Sequence, residues 1–320
     1  MLDDRQHARV ADLAALAAER WGCGDCALEH IADSGNSVWR VAGDGGQWIL
    51  RLTNPDYRSL EENQAEVTYI RHLDACGVRA AQPVPSESGR WVENVSCDGA
   101  MLYASLFDYA PGELVLRDSN LWGEDFVRAW GHALGAMHAA SRRFGLAAGG
   151  RWEWDREVFF AKARTLIPSG ETDVLEELEE LMAQTRRLAR TPDNFGMVHG
   201  DVAPQNFRYD PALGITMFDF GNCCYHWYAS DVAVSLSVLR MRPLEERNRH
   251  RSWLLAGYLG ARPAAEPELR MVPHFLRLRI LYVYLSRLFK FGPAPKPEEQ
   301  HVLDTLRELV LARFDWDAEP

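Results

Sequence analysis

The ten residues Met197-Val-His-Gly-Asp-Val-Ala-Pro-Gln-Asn206 decide how this chain is read. An apolar pair enters His199-Gly-Asp201, and Asn206 follows after four intervening residues. Just beyond, Asn206-Phe-Arg-Tyr209 and Gly214-Ile-Thr-Met-Phe-Asp219 alternate around Asp210-Pro-Ala-Leu-Gly214, the pattern of a hairpin and its turn. A hairpin returns its ends to one another, so the spacing predicts Asn206 and Asp219 side by side, with Asp201 on the loop ahead. Taken singly, Asp201 is a turn former and Asn206 a strand starter. Together they bring two oxygen ligands and a carboxylate to one point, which suits phosphoryl transfer. Mg2+ is a hard ion held by one or two protein oxygens, with phosphates and water completing its shell. The remaining carboxylate stands where an attacking hydroxyl must be oriented.

The surrounding chain has ordinary globular composition, 47% hydrophobic and 25% charged over 320 residues, enough for two lobes. Its 46 acidic residues outnumber 35 Lys and Arg, giving a net charge of -11. That balance argues against nucleic acid or an anionic membrane as partner and favours a cationic small molecule. The start, Met1-Leu-Asp-Asp-Arg-Gln, carries no apolar signal region, and no stretch reaches the roughly 18 apolar residues of a membrane helix. Six cysteines without framework spacing predict free thiols and a cytoplasmic setting. Cys23-Gly-Asp-Cys26 lacks the second ligand pair of a structural zinc site and reads as coincidence.

Residues 3–21 carry Val10, Leu13, Leu16, Ala17 and Trp21 at helical spacing. Ser37-Val-Trp-Arg-Val41 and Gln47-Trp-Ile-Leu-Arg-Leu52 read as strands joined by a turn at Gly43-Asp-Gly-Gly46. Ser59 with Glu62 forms a capping box, opening a helix that ends near Gly77. Strand-like runs fill 78–107. After Tyr109-Ala-Pro-Gly112, helical patterns dominate at about 119–141, 171–190, 229–241, 245–260, 266–290 and 297–314, interrupted by the β-like 197–221.

His199-Gly-Asp201-x-x-x-x-Asn206, then Asp219-Phe-Gly221 and an aromatic run to Trp227-Tyr-Ala-Ser-Asp231, resembles the aminoglycoside phosphotransferase/choline kinase family. The similarity is nearest to its homoserine-kinase-like and stress-response branch. The same letters follow the protein-kinase pattern, with H-G-D in place of H-R-D. Over residues 30–290 the resemblance implies an α+β, two-lobed protein-kinase-like fold. Its parts would be a small antiparallel β-sheet N-lobe with a helix at 1–107, a hinge at 108–112, and a larger, mainly helical C-lobe at 113–320.

The resemblance further implies ATP and Mg2+ as cofactors and Asp201 as catalytic base. Asn206 and Asp219 match the metal ligands, His199 a brace of the loop, and Asp231 the residue that holds the loop from behind. Arg51 takes the place of the family's phosphate-touching strand lysine, and Glu66 that of its helix partner. Arg keeps the charge and grips phosphate through two nitrogens. Gly35 and Asn36, within Ser34–Ser37, stand at the hairpin approach to the phosphates. Asp108 and Ala110 lie on the linker whose backbone holds adenine. Gly131-His-Ala-Leu-Gly-Ala-Met-His138 is similar to the long helix under the catalytic loop. Asn222 departs from the carboxylate that relatives often carry after D-F-G.

The expected reaction is transfer of the γ-phosphate to a hydroxyl of a small polar, amine-bearing molecule, with no nucleic acid or membrane partner and the oligomeric state open. A Ser/Thr protein kinase is the nearest alternative, but no long activation loop separates Asp219 from Asp231. A non-catalytic nucleotide-binding module is the other, supported only by the missing strand lysine. His132 and His138, six apart on a helix, are expected as core or surface histidines. Tyr225-His-Trp-Tyr228 either lines a substrate pocket with cation-attracting rings or packs behind the metal loop. Cys223 and Cys224 are expected as buried thiols.

Overall fold

The computed structural model describes residues 4–33, 35–97, 99–117, 119–145, 150–240 and 242–313. Ser34 and the outermost residues of the expected first and last helices, 3 and 314, lie outside them. The chain divides into two compact units. One holds Met1–Glu113, Ala148–Arg151 and Thr216–Gly221, the other Leu114–Ala147, Trp152–Ile215 and Asn222–Pro320. The first unit thus takes back two short segments from far downstream of the change in sequence character at 107–112.

The first unit is built from α1 (Asp4–Glu19), β1 (Ala27–Asp33), β2 (Asn36–Gly43), β3 (Gly46–Thr53), α2 (Leu60–Ala75), β4 (Pro83–Val84), β5 (Glu93–Cys97) and β6 (Ala100–Asp108). The sheet runs β1-β2-β3-β6-β4, with β5 also on β6, and every pairing is antiparallel. Successive strand residues face opposite sides. Leu50 and Leu52 therefore join Leu13, Ala17 and Trp21 of α1 and its C-terminal turn in one apolar core, while Arg51 between them turns to the other face. On α2 both halves of the Ser59–Glu62 capping box form. That helix buries Glu66, Val67, Ile70 and Leu73. Strand β1 had no signature in the sequence. It is an edge strand with mostly exposed side chains and a bulge at His30/Ala32, so burial imposed no alternation on it.

The second unit is mainly helical: α3 (Glu124–Phe144), α4 (Val158–Leu166), α5 (Thr172–Arg186), β7 (Phe195–Val198), β8 (Phe207–Asp210), β9 (Gly214–Met217, its end in the first unit), β10 (Cys224–Trp227), α6 (Tyr228–Ser237), α7 (Leu244–Ala261), α8 (Val272–Phe291) and α9 (Pro297–Leu311). The β8–β9 hairpin forms, its turn fixed by Asp210 Oδ1 accepting the amides of Ala212 and Leu213. Strands β7 and β10 pair antiparallel, Val198 opposite Cys224 and Phe195 opposite Trp227. Helices α3 and α7 touch backbone to backbone, because a Cβ on Gly131 would stand 2.0 Å from the Leu254 carbonyl oxygen. Among the described residues no helix is long and apolar enough to cross a membrane.

Candidate active site

Asp201 follows β7 and precedes a single 3-10 turn, Pro204–Asn206. Asn206 folds back on it: its Nδ2 donates to the Asp201 carbonyl at 2.8 Å and to Oδ2 at 3.0 Å. Arg279 of α8 donates from Nη2 to the other carboxylate oxygen, Oδ1, at 2.7 Å. The Asp201 side chain remains 24% exposed, whereas Asn206 is buried. With its NH2 committed to Asp201, Asn206 would meet a cation through its amide oxygen.

Behind this loop sits Asp231, in the first turn of α6 and wholly buried. Its Oδ2 accepts the His199 amide at 2.8 Å and its Oδ1 the Gly200 amide at 2.9 Å. Burial alone would raise its pKa, but the His138 hydrogen bond, the neighbouring imidazoles and the His199 amide hold it below the ordinary carboxylate range. An ionised carboxylate only accepts, so His138 donates from Nε2, 3.2 Å away. Burial keeps His138 neutral by lowering its pKa. Its Nδ1 is then left to accept from the Tyr258 hydroxyl at 2.9 Å, which in turn accepts from Arg262 at 2.6 Å. His138 is thus a core histidine with a structural task. His199 braces the loop by accepting the Asp201 amide on Nδ1 at 3.3 Å. Gly200 has φ +83°, and a Cβ there would lie 2.4 Å from the Asn222 carbonyl oxygen, so only glycine fits the middle of His-Gly-Asp.

Beside Gly200 opens a pocket walled by Trp152, Trp154, Phe160 and Tyr282, with Glu157 and Arg279 among its lining. Strand alternation decides the part played by the aromatic run. Cys224 and His226 face the pocket, while Tyr225, Trp227 and Tyr228 are buried in packing. Burial pushes His226 down to about 3, so its ring is neutral. Cys223 and Cys224 are both buried thiols.

The first unit assembles a second constellation. Arg51 and Glu66 form a buried two-pronged ion pair, Nη1–Oε1 at 2.7 Å and Nη2–Oε2 at 2.8 Å. Burial works against the charge on Glu66, but Arg51, then Arg151 and Arg58, hold its pKa below the ordinary value. A Cβ placed on Gly221 would lie 3.3 Å from Asp219 Oδ1, 3.6 Å from Asn36 Nδ2 and 3.8 Å from Arg51 Nη1. These three polar groups therefore gather around one glycine. Asp219 itself adopts φ +59°, a left-handed conformation uncommon for a side-chain-bearing residue. Gly35 turns at φ +80° between β1 and β2, with the Tyr57 ring 2.8 Å from where its Cβ would be. At the end of β6 the Asp108 amide donates to the Gln82 carbonyl at 2.8 Å. Ala110, two residues on, is buried.

Comparison with known proteins identifies the lineage. The profile of the phosphotransferase enzyme family matches residues 28–270. The chain belongs to that family. It is 29% identical to the amicoumacin kinase of Bacillus subtilis (strain 168), over 95% of this chain and 94% of that one. A homoserine kinase of Xanthobacter autotrophicus (strain ATCC BAA-1158 / Py2) is 28% identical over 87% and 85% of the two chains. Among solved structures, "Amicoumacin kinase hAmiN in complex with AMP-PNP, Ca2+ and Ami" superposes with a TM-score of 0.85 at 26% identity, covering 100% of this chain and 96% of that one. The fold is protein-kinase-like, and this phosphotransferase is a kinase with hydroxyl acceptors.

Two arginines of the phosphotransferase had no signal in the sequence. Arg279 lies on the last-but-one helix, far from any motif. Arg151 reaches Glu62 and Gly221 carbonyls at 3.1 and 2.6 Å and approaches Glu66 to 3.9 Å, tying α2 to the Asp219-Phe-Gly221 segment. A lone arginine in a loop carries no period or spacing, so only the fold discloses its partners.

Proposed function

We propose that the enzyme transfers the γ-phosphate of ATP to a hydroxyl of a small, amine-bearing molecule, with Mg2+ as its divalent cation. The observation that carries this reading is the Asp201 carboxylate, bonded by Asn206 and joined through Arg279 to an aromatic-walled pocket. Asp201 orients the acceptor hydroxyl and takes its proton as the oxygen bonds to the γ-phosphorus and ADP leaves. Asn206 and Asp219 would hold the cation, which neutralises phosphate charge when bound. Among the described residues no group of three or more His, Cys, Asp or Glu is placed to hold a metal. An amide oxygen and one carboxylate, completed by phosphates and water, are the sparse hard-oxygen set Mg2+ takes. Arg51, fixed by Glu66, and Asn36 serve the phosphates, with Gly35 at the adjoining turn. The Asp108 carbonyl and the Ala110 amide serve adenine.

AMP-PNP and Ca2+ in the neighbouring structure support ATP and a divalent cation here. An amine on the acceptor fits the Glu157 carboxylate and the indole and phenyl faces of the pocket, the surroundings that attract ammonium groups. The related homoserine kinase acts on a hydroxyl compound that also bears an amine. A protein substrate is disfavoured because residues 220–231 are taken up by a 3-10 turn, β10 and the first turn of α6, with no peptide-cradling loop. The free cysteines suit a reducing, cytoplasmic setting. The test is ADP release over a panel of amino alcohols set against denatured protein extract. Turnover on the alcohols alone is expected, and turnover on protein alone would overturn the assignment. By calorimetry, Asp219→Ala should abolish the metal dependence of ATP binding. Unchanged affinity with and without Mg2+ would remove Asp219 from the cation site.

A further inference from the structure

The proposed reaction leaves one polar group of the acceptor pocket without a task. His226, on β10, faces the pocket with part of its ring exposed. Its Nδ1 accepts the backbone amide of Trp227 at 2.8 Å. An amide N–H can only donate, so Nδ1 carries no proton. The ring is neutral, and a neutral imidazole has one N–H, which therefore sits on Nε2. Among the described residues no acceptor bonds this Nε2. Nor is the ring free to turn: Phe275 of α8 meets it edge-on with centroids 5.2 Å apart, and Trp154 lies against it at 5.6 Å. Strand β10 thus delivers a fixed, uncharged N–H donor into the pocket. An ammonium group has no lone pair and cannot be its partner. An anion is disfavoured too, because the carboxylates of Glu157 and Asp231 line the same pocket. Asp231 is the strongest charge acting on the ring, ahead of His274 of α8 and Arg190. The cation of the lining, Arg279, is taken up by Asp201. What remains is an uncharged oxygen.

We propose that His226 is a specificity residue whose Nε2–H bonds an uncharged hydroxyl, ether or carbonyl oxygen of the acceptor, distinct from the hydroxyl that is phosphorylated. This rests on the reading that the pocket beside Gly200 receives the acceptor. The reacting oxygen is not the partner, because a donor on it would compete for the lone pair that attacks phosphorus. An acceptor without the second oxygen strips water from the donor and returns nothing, which is how a polar site rejects a near-isostere. The ring's neutrality serves the same occupant, since an imidazolium here would repel the acceptor's amine.

The experiment compares acceptors that differ by one oxygen-bearing group: 2-(2-aminoethoxy)ethanol with 5-amino-1-pentanol, 3-amino-1,2-propanediol with 3-amino-1-propanol, and serinamide with 2-amino-1-propanol. Two readouts are taken, kcat/KM by ADP release and binding by quenching of tryptophan fluorescence, since Trp152 and Trp154 line the pocket. In at least one pair the oxygen-bearing member should be preferred by about 5-fold or more, the order of one neutral hydrogen bond. His226→Phe should bring that ratio near one, and His226→Gln, whose side-chain amide also donates, should restore part of it. Serinamide should be preferred to serine, which offers a charged oxygen in its place. In 15N-resolved spectra of the parent enzyme the Nε2–H signal should persist at about pH 5, where an ordinary histidine is charged, and should move with the oxygen-bearing members only. That signal decides the matter if His226→Phe does not fold. Equal use of both members in every pair, no binding of any compound, or a ratio unmoved by His226→Phe refutes the proposal. So does serine surpassing serinamide, or a proton found on Nδ1. Oxygen-dependent binding that is lost in His226→Phe, but without turnover on any acceptor, would sustain the donor and overturn the phosphotransfer reading instead.

Discussion

Asp201 and Asp231 belong to the same unit and are joined through the His199–Gly200 backbone, but their surroundings differ completely. Asp231 has no exposed surface, and both its oxygens are filled by two backbone amides and an imidazole. Asp201 keeps 24% of its side chain exposed, and its carboxylate bonds come from one amide and one exchangeable guanidinium. A carboxylate with both oxygens held by buried donors makes a scaffold, because any change in its protonation disrupts the fold. One with replaceable partners at a pocket can exchange a proton with what enters. The same side chain is thus architecture in one setting and chemistry in the other.

That contrast can be broken by experiment. Asp201→Asn keeps the shape and removes the base. Turnover should fall by about a thousand-fold or more while the melting temperature stays near that of the parent. Near-normal turnover would deny Asp201 its chemical role. Asp231→Ala should do the reverse, costing about 3–5 kcal/mol of stability in denaturant unfolding by orphaning two buried amides and His138. An unchanged unfolding midpoint would show that the loop stands without it.

The first unit offers a milder sharpening. Arg51→Lys keeps the charge but loses one prong of the Glu66 pair, an expected cost of about 1–2 kcal/mol with a raised KM for ATP. An unaltered KM would return Arg51 to a structural part alone.

The smallest effect concerns pH and the Asp231 side. The hydrogen-bonded chain from Asp231 runs through His138 and Tyr258 to Arg262, whose ion-pair partner 2.7 Å away, Glu268, is raised by burial to about 7. The folded state then holds a proton that the unfolded carboxyl releases near its ordinary value of 4.5. Stability from this group is complete below that value and falls as pH rises towards 7, with a slope of at most about 1.4 kcal/mol per unit. Melting curves of the parent and Glu268→Gln between pH 4.5 and 7 should converge in slope only if Glu268 does not titrate there.

Local rules made much of the molecule readable in advance. The Ser59–Glu62 box, the Gly43–Gly46 hairpin and the Asp210–Gly214 turn each depend on residues within a few positions of one another. Strand β1 escaped because an exposed edge leaves no alternation. The β7–β10 pairing escaped because its strands are four residues each and far apart in the chain. Helix α4 escaped because nine residues give little more than two turns of periodicity.

By itself, the sequence determined the element types, the His-Gly-Asp and Asp-Phe-Gly motifs, and through them the phosphotransferase family, since all of these are written in short spacings. Only the tertiary structure decided that Arg279 faces Asp201, that Arg151 ties α2 to the Asp219 segment, and that His138 holds Asp231. Those partnerships join residues 70 to 93 positions apart. Hydrogen bonds and charges act over ångströms of space, and the distance along the chain between two partners leaves no mark on either.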